Sequence, residues 1–221
     1  LTWLVTPISS NLGLLKMHEL LAVATITILA VISPGPDFAM VTRNGYSFGR
    51  KIGLISALGI AAGVQVHVVY TVLGVAILIT QSPTLFLVMK VVGAAYLMYL
   101  GYQSFCNRTV LNTDGEAGNM PSAWQAFGMG FLTNALNPKT MLFVVATFTQ
   151  LVQPDASFWL NFAYGFFMSF AHWVWFSIVA LVFSNKRLRA AMLARQRLLD
   201  RAIGVALFSL GASLLFANSV S

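Results

Sequence analysis

Ser33-Pro34-Gly35-Pro36-Asp37 ends an uncharged run, residues 20–33, inside a strongly apolar stretch. A helix of that length rises about 21 Å, short of a hydrocarbon core of about 30 Å. Pro34 and Pro36 remove two amide donors, and Gly35 lets the backbone turn, so the helix is broken before it has crossed. Asp37 then places a carboxylate where a charge costs about 2.5–3.5 kcal/mol on insertion scales. Broken backbone at membrane depth is tolerated where it is buried in protein or lines a wet cavity. The chemistry this implies is a substrate or ion site, with Asp37 holding a cation or carrying a proton. The plainer alternative is a loop leading to an interfacial helix that Asp37 caps.

A second break has the same form. Residues 124–137 are uncharged and end at Asn137-Pro138-Lys139. Lys139 supplies the opposite charge: it can neutralise Asp37, or snorkel to the outer interface. Asn134 and Asn137 carry amides able to satisfy the interrupted backbone. On untilted helices Asp37 and Lys139 would differ by about 12 Å in depth, so a shared pathway is expected rather than a direct salt bridge.

The elements that position these residues follow from composition. The 221 residues are 58% hydrophobic and 9% charged, and the mean hydropathy is +0.79. That excludes an ordinary soluble domain and predicts an all-α integral membrane protein. Six transmembrane helices are expected: 20–42 (broken), 52–80, 85–106, 124–152 (broken), 158–183 and 202–217. Residues 1–16 read as an upstream extension or cloning remnant before Met17, and 17–221 as one transporter domain. The net charge of +7 lies in short clusters between spans, so it does not suggest nucleic acid. These clusters make 43–51 and 184–201 cytoplasmic, and alternation adds loop 107–121, with both termini outside. The stretch 186–201 reads as a basic, partly amphipathic connector.

Spans 1–3 and 4–6 read as two copies of one unit, about 17–106 and 122–221, joined by loop 107–121. Pro36-Asp37 corresponds to Pro138-Lys139. The next span in each copy carries His67 or His172, and the last carries Gly93 and Gly101 or Gly204 and Gly211. Three spans per copy make the copies inverted relative to one another. Inverted repeats with paired broken helices mark a secondary transporter with its site at the repeat interface.

Four segments carry a resemblance. They are Ser33-Pro34-Gly35-Pro36, Gly59-Ile60-Ala61-Ala62-Gly63 leading to His67, the Gly93–Gly101 stretch, and Asn134-Ala135-Leu136-Asn137-Pro138-Lys139. In combination and order they resemble the lysine-exporter family of amino-acid efflux proteins, nearest the homoserine and threonine exporters. The resemblance implies a multi-pass protein of the bacterial inner membrane. It further implies export of amino acids or small derivatives, driven by the proton motive force, with no cofactor. Its partners would be the amino acid, protons and membrane lipid.

An amino acid is a zwitterion, which gives the breaks a division of labour. The free amides that begin the half-helices after Pro36 and Pro138 suit a carboxylate. Asp37 suits the ammonium or a proton, and Lys139 is a second partner for the carboxylate. His67 is a further candidate for this pathway; both it and His172 can instead hydrogen-bond a neighbouring helix. Gly59 and Gly63 form a close-packing step, expected within the bundle, with a homodimer left open.

Other classes find less support. Cys106 is the only cysteine, against a thiol relay. The scattered histidines and acids form no metal-ligand cluster, against a divalent-metal exporter. No G-x-S-x-G is present, against a serine hydrolase.

Overall fold

The computed structural model describes residues 6–106, 120–151 and 157–217. The described residues form helices and no strand: α1 (Thr6–Ile32), α2 (Pro36–Phe48), α3 (Arg50–Gln81), α4 (Pro83–Cys106), α5 (Ala123–Ala135), α6 (Pro138–Leu151), α7 (Phe158–Ser184) and α8 (Lys186–Ala217). By length and apolarity, α3 from Arg50 to Gly74 and α7 are each able to cross a membrane. Leu20–Ile32 and Pro36–Phe48 qualify together as a pair bent by 54°.

Both breaks fall at the prolines. α1 stops at Ile32, Gly35 is the extended N-cap of α2, and Pro36 occupies its first turn with Asp37 beside it. Proline is suited to that position because its missing N–H has no helical partner there, and the acid meets the positive end of the helix. In the second break α5 ends at Ala135 and α6 starts on Pro138. Asn137 Oδ1 accepts from the Lys139 amide at 3.0 Å and so caps α6. α5 begins with a capping box that the sequence reading overlooked. Ser122 Oγ accepts from the Gln125 amide at 3.2 Å, and Gln125 Oε1 accepts from the Ser122 amide at 2.8 Å.

Three expected boundaries are corrected. The basic connector 186–201 is helical and continuous with the last span, forming the single α8. It is rich in Ala, Leu and Arg and has neither Gly nor Pro, so nothing stops the helix. The turn at 81–84 shrinks to Ser82, because Pro83 is itself the first residue of α4. The helix of the first span extends upstream, running from Thr6 through Met17 without a break. Loop 107–119, turn 152–156 and residues 1–5 lie outside the described residues.

The centre of the molecule is α3, which packs on α5 and on α7; α4 packs chiefly on α8 and α6, and α2 lies against α7. In lipid, apolar area gives little drive for helices to associate, so close backbone approach decides such contacts. Gly59 and Gly63 meet the backbone of α5, and Gly130 of α5 meets Ser56 of α3. The glycine step is therefore used inside the chain. Gly101 and Gly204 pack against each other's helices in the same way. Around these contacts sit Ile26, Val64, Val68, Phe143 and Met168 on one side of the breaks. Phe38, Ile60, Phe176, Val179 and Phe183 sit on the other. Trp124 and Trp159, 79% and 80% exposed, point outward as expected of interfacial aromatics.

Candidate functional site

The two breaks meet. Asp37, only 5% exposed, reaches from the start of α2 to the break between α5 and α6. Its Oδ2 accepts from Asn134 Nδ2 at 2.8 Å and from Asn137 Nδ2 at 3.0 Å, with Thr140 Oγ1 at 3.5 Å. Its other oxygen, Oδ1, is buried and has no partner, and the same holds for Asn134 Oδ1. Both side chains are thus half used. A buried carboxylate oxygen left without a donor is costly, and a ligand or a proton would satisfy it.

Lys139 does not pair with Asp37. Its Nζ donates to the carbonyl of Ser33, and to that of Pro34 at 3.3 Å. These carbonyls lie just past the end of α1, where the helix dipole favours a cation. Lys139 therefore turns inward to the other break rather than snorkelling outward. Gly35 makes room for it: a Cβ there would lie 3.1 Å from Lys139 Cδ. Asp37, Asn137, Lys139, Thr140 and His172 line one cavity of about 20 Å³. A water needs roughly 10–15 Å³ of such space, so the cavity has room for a water and is too small for an amino acid.

The histidines divide. His67 Nε2 lies 2.8 Å from the Asn134 carbonyl, and Nδ1 lies 2.7 Å from Tyr70 Oη. A carbonyl only accepts, so Nε2 carries the hydrogen, and the neutral ring accepts the Tyr70 hydroxyl hydrogen at Nδ1. His67 thus bonds a neighbouring helix at the end of α5, one residue-backbone away from the Asp37 cluster. His172 makes no hydrogen bond to a neighbouring helix. Its Nδ1 donates to Met168 O, one turn back on α7, at 2.7 Å. Its ring lies between Phe143 and Phe176, with Nε2 left as an acceptor. Gln65, on another face of α3 from His67, donates to Gly165 O at 3.1 Å and to Ser169 Oγ at 2.5 Å, joining α3 to α7.

The structure brings together Ser33, Pro34, Gly35, Asp37, Asn134, Asn137 and Lys139, with His67 attached through Asn134. Pro36 and Pro138 start the two half-helices that frame them. Thr140 was missed; its signal was its place one turn after Asn137, at the start of a half-helix. The His67 bond carries a prediction. His67→Phe keeps a ring of similar size but removes the donor to Asn134, and is expected to lower stability by about 1 kcal/mol. Thermal unfolding in detergent would measure it; an unchanged midpoint would show that the bond contributes nothing.

Known proteins extend this picture. The family profile described as "LysE type translocator" matches residues 28–218. The chain is 29% identical over 204 residues to the threonine efflux protein of Salmonella typhimurium, covering 89% of this chain and 97% of that one. It is 26% identical over 201 residues to the threonine efflux protein of Escherichia coli K12, covering 90% and 98%. It is 38% identical over 144 residues to an uncharacterized membrane protein, YrhP, of Bacillus subtilis, covering 62% and 69%. No solved structure matches the chain. With the profile covering both breaks and the helices around them, the chain belongs to the family of LysE type translocators.

Proposed function

We propose that this chain is a secondary exporter of amino acids or small amino-acid derivatives, of homoserine or threonine type, driven by the proton motive force across the bacterial inner membrane. The observation that carries the reading is the buried, unpartnered Oδ1 of Asp37, beside a cavity shared with Lys139. A substrate ammonium and a proton both seek that oxygen, and only one can hold it at a time. That competition is the minimum an antiporter needs: the substrate leaves the site on the outer side, a proton takes the carboxylate, and release of the proton inward frees it again. The free amides of the first turn of α2 suit the substrate carboxylate. The efflux relatives support the substrate class.

The reading includes six spans in two inverted repeats. Part of the packing supports it: exchanging the halves maps α2 on α7 onto α6 on α3, and α2 on α5 onto α6 on α1, while α3 pairs with α7 and α4 with α8; α4 on α6 has no such counterpart. Orientation follows the basic clusters. Arg189 of α8 lies 4.2 Å from the centre of the Tyr46 ring at the end of α2, so two of these clusters share one end of the bundle. We assign that end to the cytoplasm.

Export is tested by loading cells or proteoliposomes with labelled threonine or homoserine and following efflux with and without a proton gradient. Gradient-dependent efflux is expected, and no efflux of any amino acid would sink the reading. Topology is tested separately. In a Cys106→Ser background, Ser82→Cys is expected to react with an impermeant thiol reagent in intact cells, whereas Ser47→Cys and Asn185→Cys are not. The reverse pattern would invert the assignment.

A further inference from the structure

The Lys139 ammonium sits on two backbone carbonyls at the broken end of α1, in the cavity that also holds Asp37 and His172. Nothing in the fold of α6 requires it there. Its own amide is already capped by Asn137, and its Nζ is hydrogen-bonded to backbone carbonyls; Asp37 is bound by amides, and Asp37 and Asp200 act on the ammonium through their charge. We infer that the carbonyls of Ser33 and Pro34 form the seat for the substrate's ammonium, and that Lys139 is a tethered stand-in that fills it when no substrate is bound. The inference rests on the transport reading above and adds a residue role to it.

The chemistry is that of one cation replacing another. A primary ammonium has three donors. The substrate's ammonium would give two to the Ser33 and Pro34 carbonyls and the third to the unpartnered oxygen of Asp37. Lys139 offers the same group on a stem long enough to cross from α6. The small cavity fits this state: with the lysine seated, space remains for a water and not for a substrate. Loading must therefore displace the lysine, and the lysine must return after release. Without an occupant, the empty carrier would bury bare carbonyls at the end of α1, which is costly. The stand-in lets the empty protein close and reset. The other titratable groups around the seat are Asp37 on α2, His67 on α3, His172 on α7 and Asp200 on α8.

The test separates exchange from net export in proteoliposomes. In exchange, the carrier crosses loaded in both directions and needs no stand-in; in net export it returns empty. Lys139→Met is expected to lower threonine or homoserine exchange far less than net export. Net efflux into buffer without amino acid should fall about tenfold or more, the effect of losing hydrogen bonds to a charged group. Lys139→Ala should recover part of its net efflux when ethylammonium is supplied, because the free cation can occupy the vacated seat. Gly35→Ala, whose Cβ would press on Lys139 Cδ, should show the same split in milder form with the lysine retained.

Parallel loss of exchange and net efflux in Lys139→Met would mean that the lysine contacts the substrate itself, and would overturn the inference. Retention of both activities, or misfolding of both Lys139→Met and Gly35→Ala, would overturn it equally. Absence of any amino-acid flux in the wild-type protein would instead defeat the transport reading.

Discussion

Asp37→Asn is expected to abolish efflux of threonine or homoserine while the protein still inserts and folds. The structure supports both halves. The introduced amide can keep its oxygen at the Oδ2 position, where Asn134 and Asn137 donate. Its nitrogen then takes the place of Oδ1, which has no partner to lose. Folding is thus preserved. The negative charge is lost, and with it the partner of an ammonium and the carrier of a proton. Efflux and its pH dependence should disappear together, at unchanged protein level and unfolding midpoint. Full efflux with its usual pH dependence would remove the role assigned to Asp37. Because Asp37 and Lys139 form no direct ion pair, the double change Asp37→Lys with Lys139→Asp is not expected to restore what either single change destroys. Rescue by that swap would show that the two charges act as a structural pair.

The largest structural effect is expected from Gly59→Val. A Cβ at Gly59 would stand 2.1 Å from the Phe127 carbonyl oxygen and 2.8 Å from the Phe131 amide of α5. Those are backbone atoms, so no rotamer change can relieve the clash, and α3 and α5 must separate. The reciprocal contact, Gly130 on Ser56 of α3, sits along the same seam. Separation would also draw α5 away from His67 and disturb Asn134, the first partner of Asp37. We expect a stability loss of about 3 kcal/mol or more, at the upper end of overpacking effects, with efflux falling as folded protein falls. Gly128, where a Cβ meets nothing within 4 Å, provides the control: Gly128→Ala should be neutral. A wild-type midpoint for Gly59→Val would contradict the close approach of these helices.

That the chain is helical and apolar, and where its helices are broken, was legible from residue types alone. Pro34, Pro36 and Pro138 lack the amide a continuing helix needs, and this is a local covalent property that survives any packing. Asp37, Asn134, Asn137 and Lys139 could be singled out for the same reason: polar groups beside broken backbone in apolar segments have few other uses. The GxxxG step was legible as a close-packing surface, because a missing side chain is visible in the sequence.

Which groups meet depends instead on how distant segments pack. Asp37 and Lys139 are opposite charges at matching positions, and nothing local forbids their pairing. The 54° bend and the approach of α2 to α5 instead give Asp37 to two asparagine amides and Lys139 to the end of α1. Partner choice among buried polar groups depends on distances between segments about a hundred residues apart, which no spacing rule encodes. The histidines make the same point. His67 and His172 occupy matching places in the two halves, yet one bonds across to α5 and the other to its own helix. The continuity of α8 was a matter of competing local signals. Its charges suggested a loop between spans, but helix formers without Gly or Pro carry the helix on through them.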